Sequence, residues 1–203
     1  MRSLKHLFTK IRDQKSSRMQ FCVYANRIMT LLSEEGLSYV DPQPIQITTP
    51  TGNVVQGEVV DASGIVAVSI IRAGDSLLDC FMKIAPEAAV GKILIQRDEE
   101  TKQPVLFYSK LPVLVGKSVV LLDPMLATGG SAKAAIEVLL DKGAEESRIT
   151  FITVVSCPEG LKAILAAYPK IKIVTGEIDA GLDAKAYIVP GLGDYGDRFY
   201  GTS

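Results

Sequence analysis

The sequence predicts an α/β protein with a mostly parallel central sheet flanked by helices and a small peripheral β element, and three observations carry that expectation. Short apolar runs rich in Val and Ile recur between residues 65 and 175. Between those runs lie stretches whose apolar residues repeat at helical spacing. A chain of 203 residues suits one substantial core, so residues 1–203 are read as a single domain.

The element order begins with a basic lead. Arg2, Lys5, Lys10, Arg12, Lys15, Arg18 and Arg27 stand against the acid Asp13. Such a lead is either a solvated arm or a dimer or regulatory surface, and both readings stay open. Phe21, Tyr24, Ile28, Leu31 and Leu32 then recur at helical spacing, with Gly36 as the expected stop. Residues 48–64 combine turn signals with a Val-rich segment, the pattern of a peripheral strand or hairpin.

Residues 65–71 are a compact β-rich run ending at Arg72-Ala73-Gly74, and residues 91–96 are a second. Leu77, Leu78, Phe81 and Ile84 supply one face of a helix between them. Residues 118–122 form a further strand, followed by the stripe Ala132, Ala135, Ile136, Leu139 and Leu140. A strand over 151–155, a helix face of Leu161, Ile164, Leu165 and Tyr168, and a strand over 171–175 complete the pattern. Strands alternating with helices favour a parallel sheet that binds ligands beyond the carboxyl ends of its strands. The loops that follow strands are therefore where function is expected.

Composition narrows the classes further. Apolar residues make up 47% of the chain, which excludes a largely disordered protein. A net charge of -1 gives no global attraction for nucleic acid, so an anion would have to be held by local geometry. Cys22, Cys80 and Cys157 are widely spaced and odd in number, against both a zinc site and a disulfide framework. The basic, polar start is unlike a secretory signal, and no apolar run reaches membrane-spanning length. The expected compartment is the cytoplasm, with neither nucleic acid nor membrane as partner.

The most informative segment is Val119-Val120-Leu121-Leu122-Asp123-Pro124-Met125-Leu126-Ala127-Thr128-Gly129-Gly130-Ser131. An apolar strand delivers Asp123 to its edge, and the small residues from Thr128 to Ser131 open an amphipathic helix. Small side chains let an anion approach backbone N–H groups, and the first-turn amides and helix dipole favour its charge. Thr128 and Ser131 can add hydroxyl donors, which suits a sugar 5-phosphate. Asp123 would repel that phosphate, but it is intelligible as an acceptor for ribose hydroxyls; alternatively it caps a turn.

Two competing motifs fail on context. Gly116-Lys117-Ser118 has the ending of a P-loop, but Leu111 stands where the first glycine is required and the triplet precedes a strand. Gly191-Leu192-Gly193-Asp194-Tyr195-Gly196 matches GxGxxG, yet too few residues follow to build a dinucleotide-binding unit.

The segment from Leu122 to Ser131 resembles the phosphoribosyl pyrophosphate (PRPP) binding segment of the uracil phosphoribosyltransferase family. It includes that family's Pro, at 124, where many other type I phosphoribosyltransferases carry a second acid. Three further stretches agree in order: Ile71-Arg72-Ala73-Gly74, Gln96-Arg97-Asp98-Glu99-Glu100-Thr101, and Tyr187-Ile188-Val189-Pro190-Gly191-Leu192-Gly193-Asp194. The resemblance runs from Phe21 to the C-terminus. It implies a type I phosphoribosyltransferase-like fold with a small hood, and conversion of uracil and PRPP to UMP and pyrophosphate in pyrimidine salvage.

By the same resemblance, PRPP falls to Arg72, Ala73, Gly74, Arg97, Asp123, Pro124, Met125, Leu126, Ala127, Thr128, Gly129, Gly130 and Ser131. Uracil falls to backbone groups at Tyr187, Ile188 and Gly193, with Asp194 beside the base and Tyr195 as a neighbour. Asp123, Arg97 and Asp194 are the candidate catalytic residues. The family implies Mg2+, held by PRPP and water with Asp194 as the candidate protein ligand. It also implies a homodimer, and GTP as a candidate activator.

Blander readings stand beside several of these assignments. Arg72 could pair with a surface carboxylate, residues 96–104 could be a solvated hairpin, and residues 186–196 could be a final edge strand and turn. Asp98, Glu99 and Glu100 read as loop-positioning or surface groups. Cys157, before Pro158, reads as a core or helix-entry cysteine and not as a nucleophile. A noncatalytic regulator on the same fold, or a phosphoribosyltransferase for another base, are the competing functions.

Overall fold

The computed structural model of the chain describes residues 2–97 and 104–202. Helices α1 (Arg2–Arg12) and α2 (Arg18–Leu37) come first. A capping box starts α2: Ser17 Oγ accepts the Gln20 N–H, and Gln20 Oε1 accepts the Ser17 N–H at 3.0 Å. Strands β1 (Gln43–Thr48) and β2 (Val54–Val59) then pair as a separate antiparallel hairpin; β2 falls within residues 48–64, where the peripheral element was expected, but β1 lies before them except for Thr48.

The sheet begins with β3 (Ile65–Ile71), followed by α3 (Gly74–Ile84), β4 (Ala89–Arg97), β5 (Pro104–Lys110) and β6 (Ser118–Leu122). Next come β7 (Met125–Leu126), α4 (Gly130–Asp141), β8 (Ile149–Ser156), α5 (Pro158–Ala167) and β9 (Lys172–Ile178). The chain closes with β10 (Gly181–Leu182), β11 (Ile188–Val189) and α6 (Tyr195–Tyr200). Among the described residues seven strands form the central sheet, in the order β5-β4-β3-β6-β8-β7 with β9 also on β8. Every pairing is parallel except that of β4 with β5. The fold class expected from the sequence is the one observed.

Both faces of this sheet are covered, which is why its central strands read as unbroken apolar runs. Along β3, Ile65 and Ala67 point into one core with Leu77 and Phe81 of α3 and Phe21, Ile28 and Met29 of α2. Val66, Val68 and Ile70 point into the other, with Ala135, Ile136 and Leu139 of α4 and Ile164 of α5. The period-2 alternation of a strand thus serves two cores.

Three local expectations are corrected. The basic lead is no solvated arm: Leu7, Phe8 and Ile11 of α1 are buried in the first core, and Arg12 is ion-paired to Asp179. Lys5 is exposed on the other side of this amphipathic helix. Gly36 does not stop α2, which runs to Leu37 and is capped at Ser38. A methyl group on Gly36 would come within 2.3 Å of Ile152 Cδ1, so glycine there lets the helix lie close on β8. Leu31 was expected on the buried stripe, but it faces outward.

Candidate active site

The carboxyl ends of β3 and β6 set the site. Where β3 ends, Arg72-Ala73-Gly74 turns the chain into α3, and Gly74 is pressed against the end of β6. A Cβ on Gly74 would sit 2.3 Å from the Leu122 carbonyl oxygen. Asp75, one residue on, binds Ser69 Oγ at 2.6 Å and pairs with Lys92, tying the turn back to β3 and β4.

From β6 the chain passes through Asp123, and its next residues re-enter the sheet edge as β7. The Pro124 carbonyl accepts the N–H groups of Val154 and Val155 at 2.9 and 3.0 Å. Pro124 and Leu126 have buried side chains, so they shape the loop from beneath. Gly129 is the N-cap of α4 with φ +83°, a left-handed conformation open to glycine at little cost. Beyond it, the Ser131 and Ala132 amides belong to the first turn of α4, where no intrahelical acceptor is available. Asp123 and the run from Met125 to Ala132 line a small cavity of about 50 Å³. A tetrahedral anion seated there would meet first-turn amides and the positive end of the helix dipole.

Support for this loop comes from α5, a contribution not foreseen. Cys157 Sγ–H donates to the Ala127 carbonyl at 3.1 Å, and burial pushes that thiol up from its ordinary pKa. A Cβ on Gly160 would fall 2.5 Å from the Ala127 oxygen. Cys157 is thus a helix-entry cysteine, as expected, and also a hydrogen-bond donor to the loop. A glycine in the first turn of α5 was the available signal for the close approach.

A larger cleft of about 450 Å³ joins the loops. Arg72 and Ala73, then Asp123, Met125 and Ala127, then Tyr187, Ile188, Gly193, Asp194 and Tyr195 all border it. Three of the four motifs singled out in the sequence therefore meet at one opening. Arg97 ends β4 in its backbone, but its side chain and residues 98–103 lie outside the described residues.

Asp123 is half-buried, and the Met125 N–H lies 3.5 Å from its Oδ1. Desolvation pushes its carboxyl up to about 7, only partly offset by that amide. A hydroxyl donor that reached this carboxylate would favour its charged form.

At the other end, β10 and β11 form a two-stranded turn. Tyr187 is engaged within it: its N–H meets Asp183 Oδ1 at 2.9 Å and its carbonyl accepts the Asp183 N–H at 2.9 Å. The Val189 carbonyl accepts the Ala180 N–H. Antiparallel alternation turns the Ile188 backbone groups, lying between, away from β10. Gly193 adopts φ +82°, and the nearest atom to an added Cβ would be Arg198 Cδ at 3.6 Å. Its glycine answers to backbone conformation and not to crowding within the protein. Asp194 caps α6 by accepting the Asp197 N–H at 2.9 Å. Tyr195 borders the cleft, but its ring is in the core, with the hydroxyl 3.1 Å from both Ser76 Oγ and Met29 Sδ.

Arg72 is held by the C-terminal segment. Its guanidinium bonds Asp197 Oδ1 at 2.7 Å and Thr202 Oγ1 at 2.6 Å, and lies 5.5 Å from the centre of the Tyr200 ring. The carboxylate-paired reading of this residue thus coexists with a position on the cleft. Asp197 is drawn below its ordinary pKa by Thr202 and then by Arg72.

Residues 1–202 match the family model described as uracil phosphoribosyltransferase. The chain is 50% identical over 200 residues to a uracil phosphoribosyltransferase of Dictyostelium discoideum, covering 98% of this chain and 92% of that protein. It is 49% identical over 200 residues to uracil phosphoribosyltransferase 1 of Schizosaccharomyces pombe, covering 98% and 91%. Among solved structures, the AQ2163 protein of Aquifex aeolicus superposes with a TM-score of 0.87 at 35% identity, over 99% of this chain and 95% of that one.

Proposed function

Since the chain belongs to the uracil phosphoribosyltransferase family, we propose that it joins uracil to the ribose of PRPP, releasing UMP and pyrophosphate in pyrimidine salvage. The observation that carries this reading is the shared cleft. The turn bearing Arg72, the loop through Asp123, Met125 and Ala127, and the β10–β11 turn border one cleft, and the small cavity at the start of α4 shares Asp123, Met125 and Ala127 with it. A noncatalytic regulator has no need of this convergence.

In the reaction, uracil N1 forms a bond to ribose C1 while the C1–O bond to pyrophosphate breaks and the leaving group takes that electron pair. The N1 proton passes to water or to the departing pyrophosphate as the new bond forms. The α4 amides would hold the 5-phosphate, and Asp123 would accept from the ribose hydroxyls. Backbone groups of Ile188 and Gly193 would meet the alternating donors and acceptors of the uracil edge. Arg72 and Arg97 would balance charge growing on pyrophosphate. Alignment and charge stabilisation suffice, with no covalent enzyme intermediate.

Mg2+ fits this donor set in a limited way. Among the described residues no three His, Cys, Asp or Glu side chains cluster as a metal site. A hard cation that keeps its waters and takes substrate phosphate oxygens needs only one or two carboxylates, and Asp194 at the cleft is the candidate. Such an ion would lower the charge on the leaving pyrophosphate.

The hairpin β1–β2 exposes Ile45, Ile47, Val54, Val55 and Val59, which supports burial against a second copy of the chain as a homodimer. GTP activation is carried by family resemblance alone. We read residues 1–203 as one domain acting in the cytoplasm. The free thiols of Cys22, Cys80 and Cys157 support that compartment. No described helix is long and apolar enough to cross a membrane.

The decisive experiment measures product from uracil, cytosine and hypoxanthine, each with PRPP and Mg2+. UMP from uracil, with little product from the other two, is expected. No UMP from folded, metal-supplied protein would overturn the proposal.

A further inference from the structure

The base turn is held by residues at the opposite end of the chain. Arg12, the last residue of α1, forks onto Asp179: its two terminal nitrogens reach Asp179 Oδ2 and Oδ1 at 2.9 and 2.6 Å. The nitrogen bonded to Oδ2 also donates to the Gly191 carbonyl at 2.6 Å. Asp179 Oδ2 in turn accepts the Gly191 N–H at 2.8 Å. Both polar groups of the Gly191 peptide backbone are therefore bound by one ion pair. The other nitrogen of Arg12 meets Glu177 at 2.6 Å, and Phe8 lies 5.5 Å beneath the guanidinium.

The geometry of Gly191 makes that hold consequential. Its φ is +63°, and a Cβ would fall 2.1 Å from the Ile188 carbonyl oxygen. The turn is thus folded tightly back on Ile188, and Gly193 follows two residues later on the cleft. The next carbonyl, that of Leu192, accepts from Arg198 at 2.6 Å, and Arg198 also reaches the Asp13 carbonyl at 2.9 Å. Two guanidiniums thereby hold consecutive carbonyls, at 191 and 192, and both are anchored to the end of α1. The Asp179 side chain is 5% exposed and Arg12 20%, so solvent screens this pair far less than a surface bridge.

We infer that Arg12 and Asp179 are positioning residues for base selectivity: they fix the Gly191 backbone, and through it the placement of the Ile188 and Gly193 groups facing the base. Neither residue borders the cleft. They act through the turn, and the N-terminal helix becomes part of the base site without touching substrate. This inference rests on the uracil-transfer reading above for its kinetic consequence, but its structural consequence stands alone.

Arg12→Met, which keeps an apolar stem over Phe8, and Asp179→Asn provide the test. Amide hydrogen exchange should quicken at Gly191, Leu192 and Gly193 in both variants, with exchange in the central sheet unchanged. In the same proteins the uracil KM should rise about tenfold or more while the PRPP KM stays within about twofold, the size expected for losing a charge-assisted hydrogen bond. Arg12→Lys keeps the charge but not the fork; it should give a smaller shift in the same direction, and it carries the test if Arg12→Met does not fold. Unchanged exchange at Gly191, or parallel rises in both KM values, would overturn the assignment. Absence of UMP formation by the unaltered chain would count against the transfer reading, and hydrogen exchange would still decide the role of the pair.

Discussion

Gly74 lies against the main-chain oxygen of Leu122, so closely that a methyl group on Gly74 would be 2.3 Å from it. This contact couples the turn after β3 to the strand that presents Asp123, because neither backbone can move without the other. If PRPP binds as proposed, this one junction carries the residues assigned to both its ribose and its pyrophosphate.

Gly74→Ala should therefore disturb PRPP use and stability together. Overpacking at such a point costs roughly 1–3 kcal/mol. Thermal unfolding and the PRPP KM are the measurements, and a variant with unaltered values in both would show that the junction yields freely.

Asp123→Asn should separate stability from activity. With its folded pKa at about 7 and its ordinary value at 3.8, Asp123 keeps a proton in the folded chain that the unfolded chain gives up. Its contribution to stability is thus present at low pH and is lost as pH rises through about 4 to 7. In the absence of substrate, the Asn variant should melt at about the same temperature as the parent near pH 4. It should melt higher at pH 8, by an amount on the order of 1–3 kcal/mol. PRPP-dependent turnover should fall at least about tenfold, since the ribose hydroxyls lose a charged acceptor. An equal pH dependence of melting in both proteins would remove Asp123 as the titrating group.

Gly193→Ala tests backbone conformation at the base turn. With 3.6 Å of space around the new methyl, the cost comes from φ +82°, about 1 kcal/mol for a non-glycine residue. Uracil turnover should fall while PRPP binding holds. Normal turnover with uracil would remove Gly193 from the base site, and equal losses in folding and both substrates would leave only a role in the turn.

Asp197→Asn tests whether Arg72 serves pyrophosphate. The Asp197 carboxylate competes for the same guanidinium donors, so its neutralisation should tighten pyrophosphate binding by a few-fold. Product inhibition by pyrophosphate reads this directly. Identical inhibition in the two proteins would mean that Arg72 stays with the C-terminal segment throughout.

The residues themselves carried the parallel α/β architecture, the glycine-containing loop that opens α4 and the order of the motifs, because each depends on neighbours in the chain. A strand that is buried on both faces needs a continuous apolar run, as in residues 65–71 and 118–122. A helix start that leaves its backbone N–H groups open to a cavity needs small residues in succession, as from Thr128 to Ser131. What tertiary structure decided is what depends on distant partners. Gly36 reads locally as a helix stop, but Ile152 makes it a packing glycine. Tyr195 reads as a neighbour of the base; it borders the cleft, and only folding shows that Ser76 and Met29 hold its hydroxyl in the core. Arg12 reads as one charge in a basic lead; it becomes a clamp only because folding sets it against Asp179, 167 residues further along the chain. No periodicity or local spacing encodes a meeting of that kind, since it arises when α1 and the end of β9 pack against the same core.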